Sequence, residues 1–531
     1  MFRKMRCLRL NQFPPDSQES LPQFLRIAIE LAGGFSSGII EYRAVAWLWR
    51  RPELVTLQMF FDFQFSRRFS SQRASILTIV LFLVSLSLAG CATGPKYETP
   101  ATDELATFLN ESEGGGAPPM TGWRELFRSP ELNGLLDRAE ANNLNLQAAW
   151  QSVLSSRAAI QRFRAAVLPQ VDAGLSGETF ERSDALSGIG FGGAGDRFDA
   201  DGRASWELDL FGRVRRSVEA ARANYEAEEA LYNNLMFTLQ ADVALHYFQI
   251  NSLQAEIELL ERSQETRAES LKLIEQRRRA GTVSELAVAQ TASLLATAEA
   301  RLYAAKRIQN SLLYSLAALL GETPATFSYQ PDALESEPPA IPAGLPGELL
   351  ARRPDIRRSE RSLAEANALV GVAKADYFPR ITLSGTLGFA ARDWDDMFES
   401  ISRFESAGAG VSVPVFQGGR IRANEAQARA LYEERSLLYR QTVIAAVTEV
   451  EDLLQSVRLL EAQSEAIARS VEASSNARRI SMLQYEQGVS DFITALDAER
   501  TALDAEQQFE KVKRNQYIDT INLIRALGGG W

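Results

Sequence analysis

The chain has 531 residues, 46% of them hydrophobic, and a formal net charge of −11. That acidic balance excludes a typical nucleic-acid binder, whose affinity rests on basic neutralisation of phosphates. Two cysteines and one histidine leave no disulfide framework and no zinc-type ligand set. No Ser/His/Asp set or phosphate loop can be assembled either, so neither a cofactor nor enzyme activity is expected.

In chain order, Arg67, Arg68 and Arg73 precede an apolar stretch at 76–88 that ends Leu88-Ala89-Gly90-Cys91. A basic start, a short apolar core and small residues before a cleavage point make a secretory signal peptide. Residues 59–90, beginning at Met59, are assigned to it; residues 1–58 read as a misread start or an unusual extension. Cys91 is then either a free thiol beside the cleavage site or the first residue of the mature chain, carrying lipid. Leu-Ala-Gly-Cys resembles the lipobox of bacterial lipoproteins, whose cysteine is lipidated, with palmitate among the chains expected. Ala92, in place of a retention-type aspartate, implies outer-membrane sorting. Loss of the leader, with 11 basic and 6 acidic residues, takes the net charge from −11 to −16. Residues 91–120 form the anchor and a linker with Gly and Pro at 111–119.

The rest is one unit written twice, over 121–324 and 347–531, joined by a proline-rich linker at 325–346. Gly212, Gly281 and Gly321 recur 207 positions later as Gly419, Gly488 and Gly528. Such self-similarity marks a repeat architecture. Val171, Ala173 and Leu175, and then Ala204, Trp206, Leu208 and Leu210, alternate with polar or small residues. So do Ile381, Leu383, Leu387 and Phe389, and Ala407, Ala409, Val411 and Val413. Period two predicts two strands per half. Their apolar face suits either lipid or the core of a sandwich. Four strands cannot close a membrane barrel, which needs at least about 8, so a lipid-facing sheet would be shared among several chains. Between Arg213 and Ala280, and again between Arg420 and Gln487, there is no Gly or Pro, which predicts helices of about 100 Å. Shorter breaker-free runs at 282–320 and 489–527 predict return helices. His246 falls mid-helix, where it reads as an ordinary side chain rather than a ligand.

Gly94-Pro95-Lys96-Tyr97-Glu98-Thr99-Pro100, Trp206-Glu207-Leu208-Asp209-Leu210-Phe211-Gly212-Arg213 and Arg353-Pro354-Asp355-Ile356 follow one another in a specific order. Tyr377-Phe378-Pro379, Pro414-Val415-Phe416-Gln417-Gly418-Gly419-Arg420 and the ending Ala526-Leu527-Gly528-Gly529-Gly530-Trp531 complete the series. With these motifs the chain resembles the outer-membrane factors of Gram-negative tripartite efflux pumps, the TolC-like channels, in their OprM/NodT lipoprotein branch. The resemblance implies a mainly α protein with a membrane β-barrel part, built from a duplicated strand-strand-long helix-short helix unit. It implies a homotrimeric channel-tunnel, with a shared twelve-strand barrel in outer-membrane lipid and a twelve-helix periplasmic α-barrel. The partners it implies are a periplasmic adaptor (membrane fusion) protein and an inner-membrane RND-type transporter. The cargo would be drugs or other small molecules, with protein secretion or metal-ion export as alternative uses of the duct.

Two places carry the sharpest expectations. The turns Gly281-Thr282-Val283-Ser284 and Gly488-Val489-Ser490 suit a left-handed glycine with Thr282, Ser284 and Ser490 as candidate caps. They are either plain helix turns or, as in the similar channels, the surface that meets the adaptor. Ile493, Asp497 and Arg500 are spaced i, i+4, i+7 on one helix face. They form either an ordinary surface ion pair beside an apolar residue or, by the resemblance, the ring that constricts the periplasmic aperture. Leu286 and Gln290 occupy the matching positions of the first half, so the gate charge is confined to the second. The rival classes are a structural coiled-coil surface lipoprotein, which needs no strands, and a tethered enzyme, which needs a polar constellation that is absent.

Overall fold

The computed structural model describes residues 93–100, 122–182, 193–334, 337–339 and 353–528. Cys91, the signal peptide, the extension at 1–58, most of the first linker and part of the second lie outside the described residues. Three helices lead in: α1 (Trp123–Leu126), α2 (Pro130–Asn142) and α3 (Leu144–Ala165). β1 (Gln170–Arg182), β2 (Gly193–Leu208), the long α4 (Arg213–Arg279) and the return helix α5 (Glu285–Leu319) complete the first half. The second half holds α6 (Pro354–Ala375), β3 (Arg380–Ala391), β4 (Arg403–Ser412), α7 (Arg420–Glu486) and α8 (Phe492–Ala526).

Three helices of the duplicated unit match in length. Both long helices have 67 residues, both return helices 35, and the helix that enters each strand pair, α3 or α6, has 22. Each strand pair is therefore entered by a helix that the alternation of the strands does not announce. The long helices start at left-handed glycines, Gly212 (φ 81°) and Gly419 (φ 85°), the conformation that glycine adopts without penalty.

Among the described residues only the first start has a side-chain cap from outside the helix. The Asp209 carboxylate accepts from the Val214 and Arg215 amides at 3.0 and 2.9 Å, satisfying two of the four orphan donors there. Asp209→Ala should lower stability by about 1–2 kcal/mol, read as an earlier thermal melt by circular dichroism.

The strands form one antiparallel sheet in the order β1-β2-β3-β4. β2 pairs with β3 through Trp206↔Leu383 and Ser205↔Ser384, so the seam of the sheet is also the seam between repeats. Two boundaries differ from expectation. The sequence reads as extracellular loops from Arg182 to Phe198 and from Arg392 to Arg403, but residues 193–198 belong to β2, and Arg182 and Arg403 are strand ends. Their ladder to β1 runs from Arg182↔Gly193 to Gly177↔Phe198. Cross-strand pairing therefore overrides the glycine-rich composition of that stretch. Leu210 and Val413, the last residues of two alternating runs, fall outside the strands.

Below the sheet the helices pack about an aromatic core. Phe248 stacks on Tyr517 at 4.5 Å and meets Phe127 at 4.9 Å, which joins α4 to α8 and to the loop after α1. Leu132, Leu136, Val243, Ile250, Leu316 and Ile521 fill the space around them. Arg353, from the Arg-Pro-Asp motif, ties three elements together. It donates to the Ala526 carbonyl at the end of α8 (2.6 Å), to Glu449 of α7 (2.9 Å) and to Asp355 in the first turn of α6 (2.9 Å). Pro354 opens α6, where its fixed φ and missing N–H suit the first turn.

The stretch 93–97 is held against the body. Arg216, buried in the first turn of α4, donates to the carbonyls of Thr93 (3.0 Å) and Pro95 (3.0 Å). Asn367 also reaches Pro95 O, and the Tyr97 hydroxyl bonds Glu360. That contact and burial both raise the Tyr97 pKa.

Candidate functional site

Side chains directly opposite in an antiparallel pair share a face. The register therefore sorts most of the sheet, with Glu405 (opposite Leu387) and Arg403 (opposite Phe389) as charged residues at the rim of the apolar face. Val171, Leu175, Ala200, Ala204 and Trp206 share one face with Ile381, Leu383, Leu387 and Val411. Asp172, Ser176, Arg203, Asp201, Thr382, Ser384 and Ser412 share the other. Val171, Leu175, Leu387 and Val411 are each more than half exposed. No second sheet covers the apolar face among the described residues, which removes the sandwich reading.

Aromatic rings mark both ends of this face. Phe198 meets Trp394, and Phe389 meets Phe398, each at 5.6 Å. At the other end Trp206 donates to the Val167 carbonyl (2.8 Å), and Phe211 stacks on Phe378 at 4.8 Å. Phe198 and Trp206 are separated by about 27 Å of strand at ~3.4 Å per residue. The apolar band of a membrane barrel is about 25 Å tall and is flanked by aromatic girdles. On the polar face, Arg203 pairs with Asp201 and Arg197 with Asp199 (2.8 Å). Among the described residues no helix is long and apolar enough to cross a membrane.

At the far ends of the long helices the two turns are built alike. Gly281 (φ 76°) and Gly488 (φ 72°) are left-handed. In the first, the Thr282 amide bonds Arg277 O (3.0 Å) and the Gly281 amide bonds Arg278 O (2.9 Å). In the second, the Val489 amide bonds Gln484 O (2.9 Å) and the Gly488 amide bonds Tyr485 O (3.0 Å). These are Schellman closures. Ser284 caps α5 as expected, accepting from the Ala287 amide. Thr282 and Ser490 do not cap. The Thr282 hydroxyl turns back to Arg277 O (2.9 Å). Asp491 caps α8 instead, accepting from the amide and the hydroxyl of Thr494 at 2.8 and 2.7 Å. Those bonds hold the Asp491 carboxyl below its usual range. Val489 is 75% exposed and Val283 is half-buried.

In the first turn of α8 Ile493 is half exposed, and beyond it Asp497 pairs with Arg500 at 3.0 Å, both open to solvent. The spacing thus yields one exposed face carrying an apolar residue and an ion pair. In the first half Leu286 is exposed at the position of Ile493, whereas Gln290, at that of Asp497, buries an unbonded Oε1. The repeats diverge here.

Contacts between the two hairpins were not anticipated. Arg277 donates to the Tyr485 hydroxyl and lies 5.1 Å from the centre of its ring. Arg301 of α5 reaches Asp504 of α8 at 2.8 Å, and Arg514 of α8 reaches Glu256 of α4 at 3.2 Å. Arg267 of α4 is buried 3.9 Å from Glu499 of α8; its Nε is unbonded, while Nη1 donates to Leu294 O. Burial lowers the Arg267 pKa and raises that of Glu499, in each case against the pull of the other. A signal was available, since Leu253, Leu260, Arg267 and Ile274 are all buried at seven-residue spacing. A charge at a heptad core position is read as a specificity device. His246 bonds through Nδ1 to the Asp242 carbonyl one turn back (2.7 Å).

An open sheet with a lipid-type face and a polar face, on top of paired helices of about 100 Å, defines the wall of an outer-membrane channel. The sequence profile of the outer membrane efflux protein family matches residues 135–322 and 345–529, and the chain belongs to that family. The solvent efflux pump outer membrane protein SrpC of Pseudomonas putida is 35% identical over 84% of this chain and 97% of its own length. The outer membrane protein OprJ of Pseudomonas aeruginosa is 30% identical over 85% and 95%. Among solved structures, the outer-membrane channel OprN is 32% identical (TM-score 0.78, 83% of this chain and 100% of that one). The open state of the Neisseria gonorrhoeae MtrE outer membrane channel is 29% identical (TM-score 0.73, 83% and 98%). The protein is the outer-membrane channel of a tripartite efflux pump; its family is one of transport ducts.

Proposed function

We propose that the channel works as a homotrimer in which three copies complete one barrel and one tunnel. The observation that carries this reading is the open sheet. β1 and β4 each have a neighbour on one side only among the described residues, and unpaired strand edges are not tolerated in lipid. The repeat supports it independently. α6 packs between α4 and α7, whereas α3 packs on α4 with Leu144, Trp150 and Leu154 left exposed. By internal symmetry, the missing neighbour of α3 is the α7 of another copy.

Cys91 carries the lipid anchor, only two residues before the bound Thr93. The turns at Gly281–Ser284 and Gly488–Ser490 seat the periplasmic adaptor, while Ile493, Asp497 and Arg500 ring the closed aperture. Cargo reaches the duct from an RND-type inner-membrane transporter, which supplies the energy; the chain itself is a passive conduit with no catalytic step. Relatives are named for solvent, toluene and antibiotic efflux, which favours small apolar or amphipathic molecules as cargo here.

The test is single-channel conductance of the purified mature protein in a planar bilayer. Wild type should give small, cation-selective openings, since a carboxylate ring attracts cations. Asp497→Ala should enlarge the resting conductance several-fold by removing the partner of Arg500 at the constriction. Equal conductance would remove Asp497 from the gate, and a folded, inserted trimer without conductance would remove the duct.

A further inference from the structure

The two turns share a backbone but not a charge. The last three residues of α4 are Arg277, Arg278 and Arg279, and those of α7 are Gln484, Tyr485 and Glu486. Arg277 is engaged with Tyr485, and Arg278 pairs with Glu285. Arg279 is exposed and has no partner among the described residues. Its counterpart 207 positions on, Glu486, is also exposed and unpaired among them. The nearest arginines on its helix, Arg478 and Arg479, are engaged with Glu506 and Asn476. Asp491, kept ionised by its capping bonds, adds a second carboxylate to that turn.

Arginine at a helix C-terminus complements the helix dipole and needs no further account. Glutamate in the same place opposes the dipole, and no ion pair offsets it. A residue that breaks a local rule without a structural return points to a use outside the chain.

We propose that the periplasmic adaptor reads the two turns by opposite charge, a reading that rests on their being its seats. The adaptor end over the first turn presents a carboxylate to Arg279; the end over the second presents an ammonium or guanidinium to Glu486 and Asp491. In a ring of three copies the six turns alternate in sign. Identical adaptor subunits fit such a ring only if each hairpin end carries both an acid and a base. Adjacent adaptors then dock in two distinct modes, which fixes their register around the tunnel. Charged groups at an interface rim act mainly on specificity and association rate.

The probe is the adaptor recovered by envelope cross-linking to the wild-type chain and then produced without its anchor. Its binding to the detergent-solubilised channel is measured at low and physiological salt. Arg279→Glu and Glu486→Lys should each weaken binding about tenfold at low salt and flatten its salt dependence. Arg279→Gln and Glu486→Gln should fall between them and wild type, with helical melting unchanged in all four. Equal binding by wild type and all four variants would overturn the charge reading while leaving the turns as seats. Recovery of no adaptor by cross-linkers placed at either turn of the wild-type chain would overturn the seats themselves.

Discussion

Arg353→Ala should be the most damaging single replacement outside the sheet, lowering stability by about 3 kcal/mol or more. The side chain is almost fully enclosed, and its removal orphans three groups at once. The Ala526 carbonyl is buried at the end of α8 and loses its one side-chain donor; Asp355 and Glu449 lose their shared counter-charge. An unsatisfied buried acceptor alone costs about 1–3 kcal/mol. The two carboxylates are each about one third exposed, so partial rehydration limits their share. Arg353→Lys separates charge from geometry. Lysine keeps the charge but cannot present a planar fork to three acceptors, so it should recover less than half of the loss. Thermal unfolding of the solubilised protein, followed by far-ultraviolet circular dichroism, checks both variants. Full recovery with lysine would mean that charge alone matters at this junction.

This junction also shows what the sequence could and could not convey. Glycine positions and breaker-free runs fix helix ends, because a left-handed residue and the absence of proline are local requirements; Gly281 and Gly488 terminate helices within a residue or two of expectation. Alternation fixes which strand residues share a face, but not where pairing stops. β2 runs on through Gly193 and Gly195 because β1 lies beside it, a fact that no local pattern contains. Caps were partly legible: Ser284 is one, but Asp491 displaces Ser490 because a carboxylate one position later can take two bonds from Thr494. The face of Ile493, Asp497 and Arg500 follows from spacing alone. Its contrast with Gln290 needs the fold, since only packing decides that one amide turns inward while Asp497 faces solvent. The ties between hairpins were silent because α4 and α8 meet only in three dimensions, more than 200 positions apart in sequence.

The Arg267–Glu499 contact gives the converse expectation, a gain of stability on removing a charge pair. At 3.9 Å, with the Arg267 Nε unbonded, the attraction does not offset the burial of either group, and both pKa values move toward the neutral forms. Replacing such a pair by apolar residues of similar volume commonly stabilises by about 1–4 kcal/mol. Arg267→Met with Glu499→Leu, which restores the heptad seam of Leu260 and Ile274, should therefore melt later than wild type. Arg267→Met alone should melt earlier at neutral pH, because Glu499 then keeps its burial cost and loses its counter-charge. The pH dependence has a definite sign. The folded carboxyl has a raised pKa, so its contribution is fully present below the ordinary glutamate value of about 4.3 and is lost as pH rises through the folded value. The stability of wild type minus that of Glu499→Gln should accordingly fall as pH rises across that window. It should fall over a higher window in the Arg267→Met background, where nothing pulls the carboxyl back down except Arg478. A flat difference would mean that Glu499 is hydrated in the folded protein.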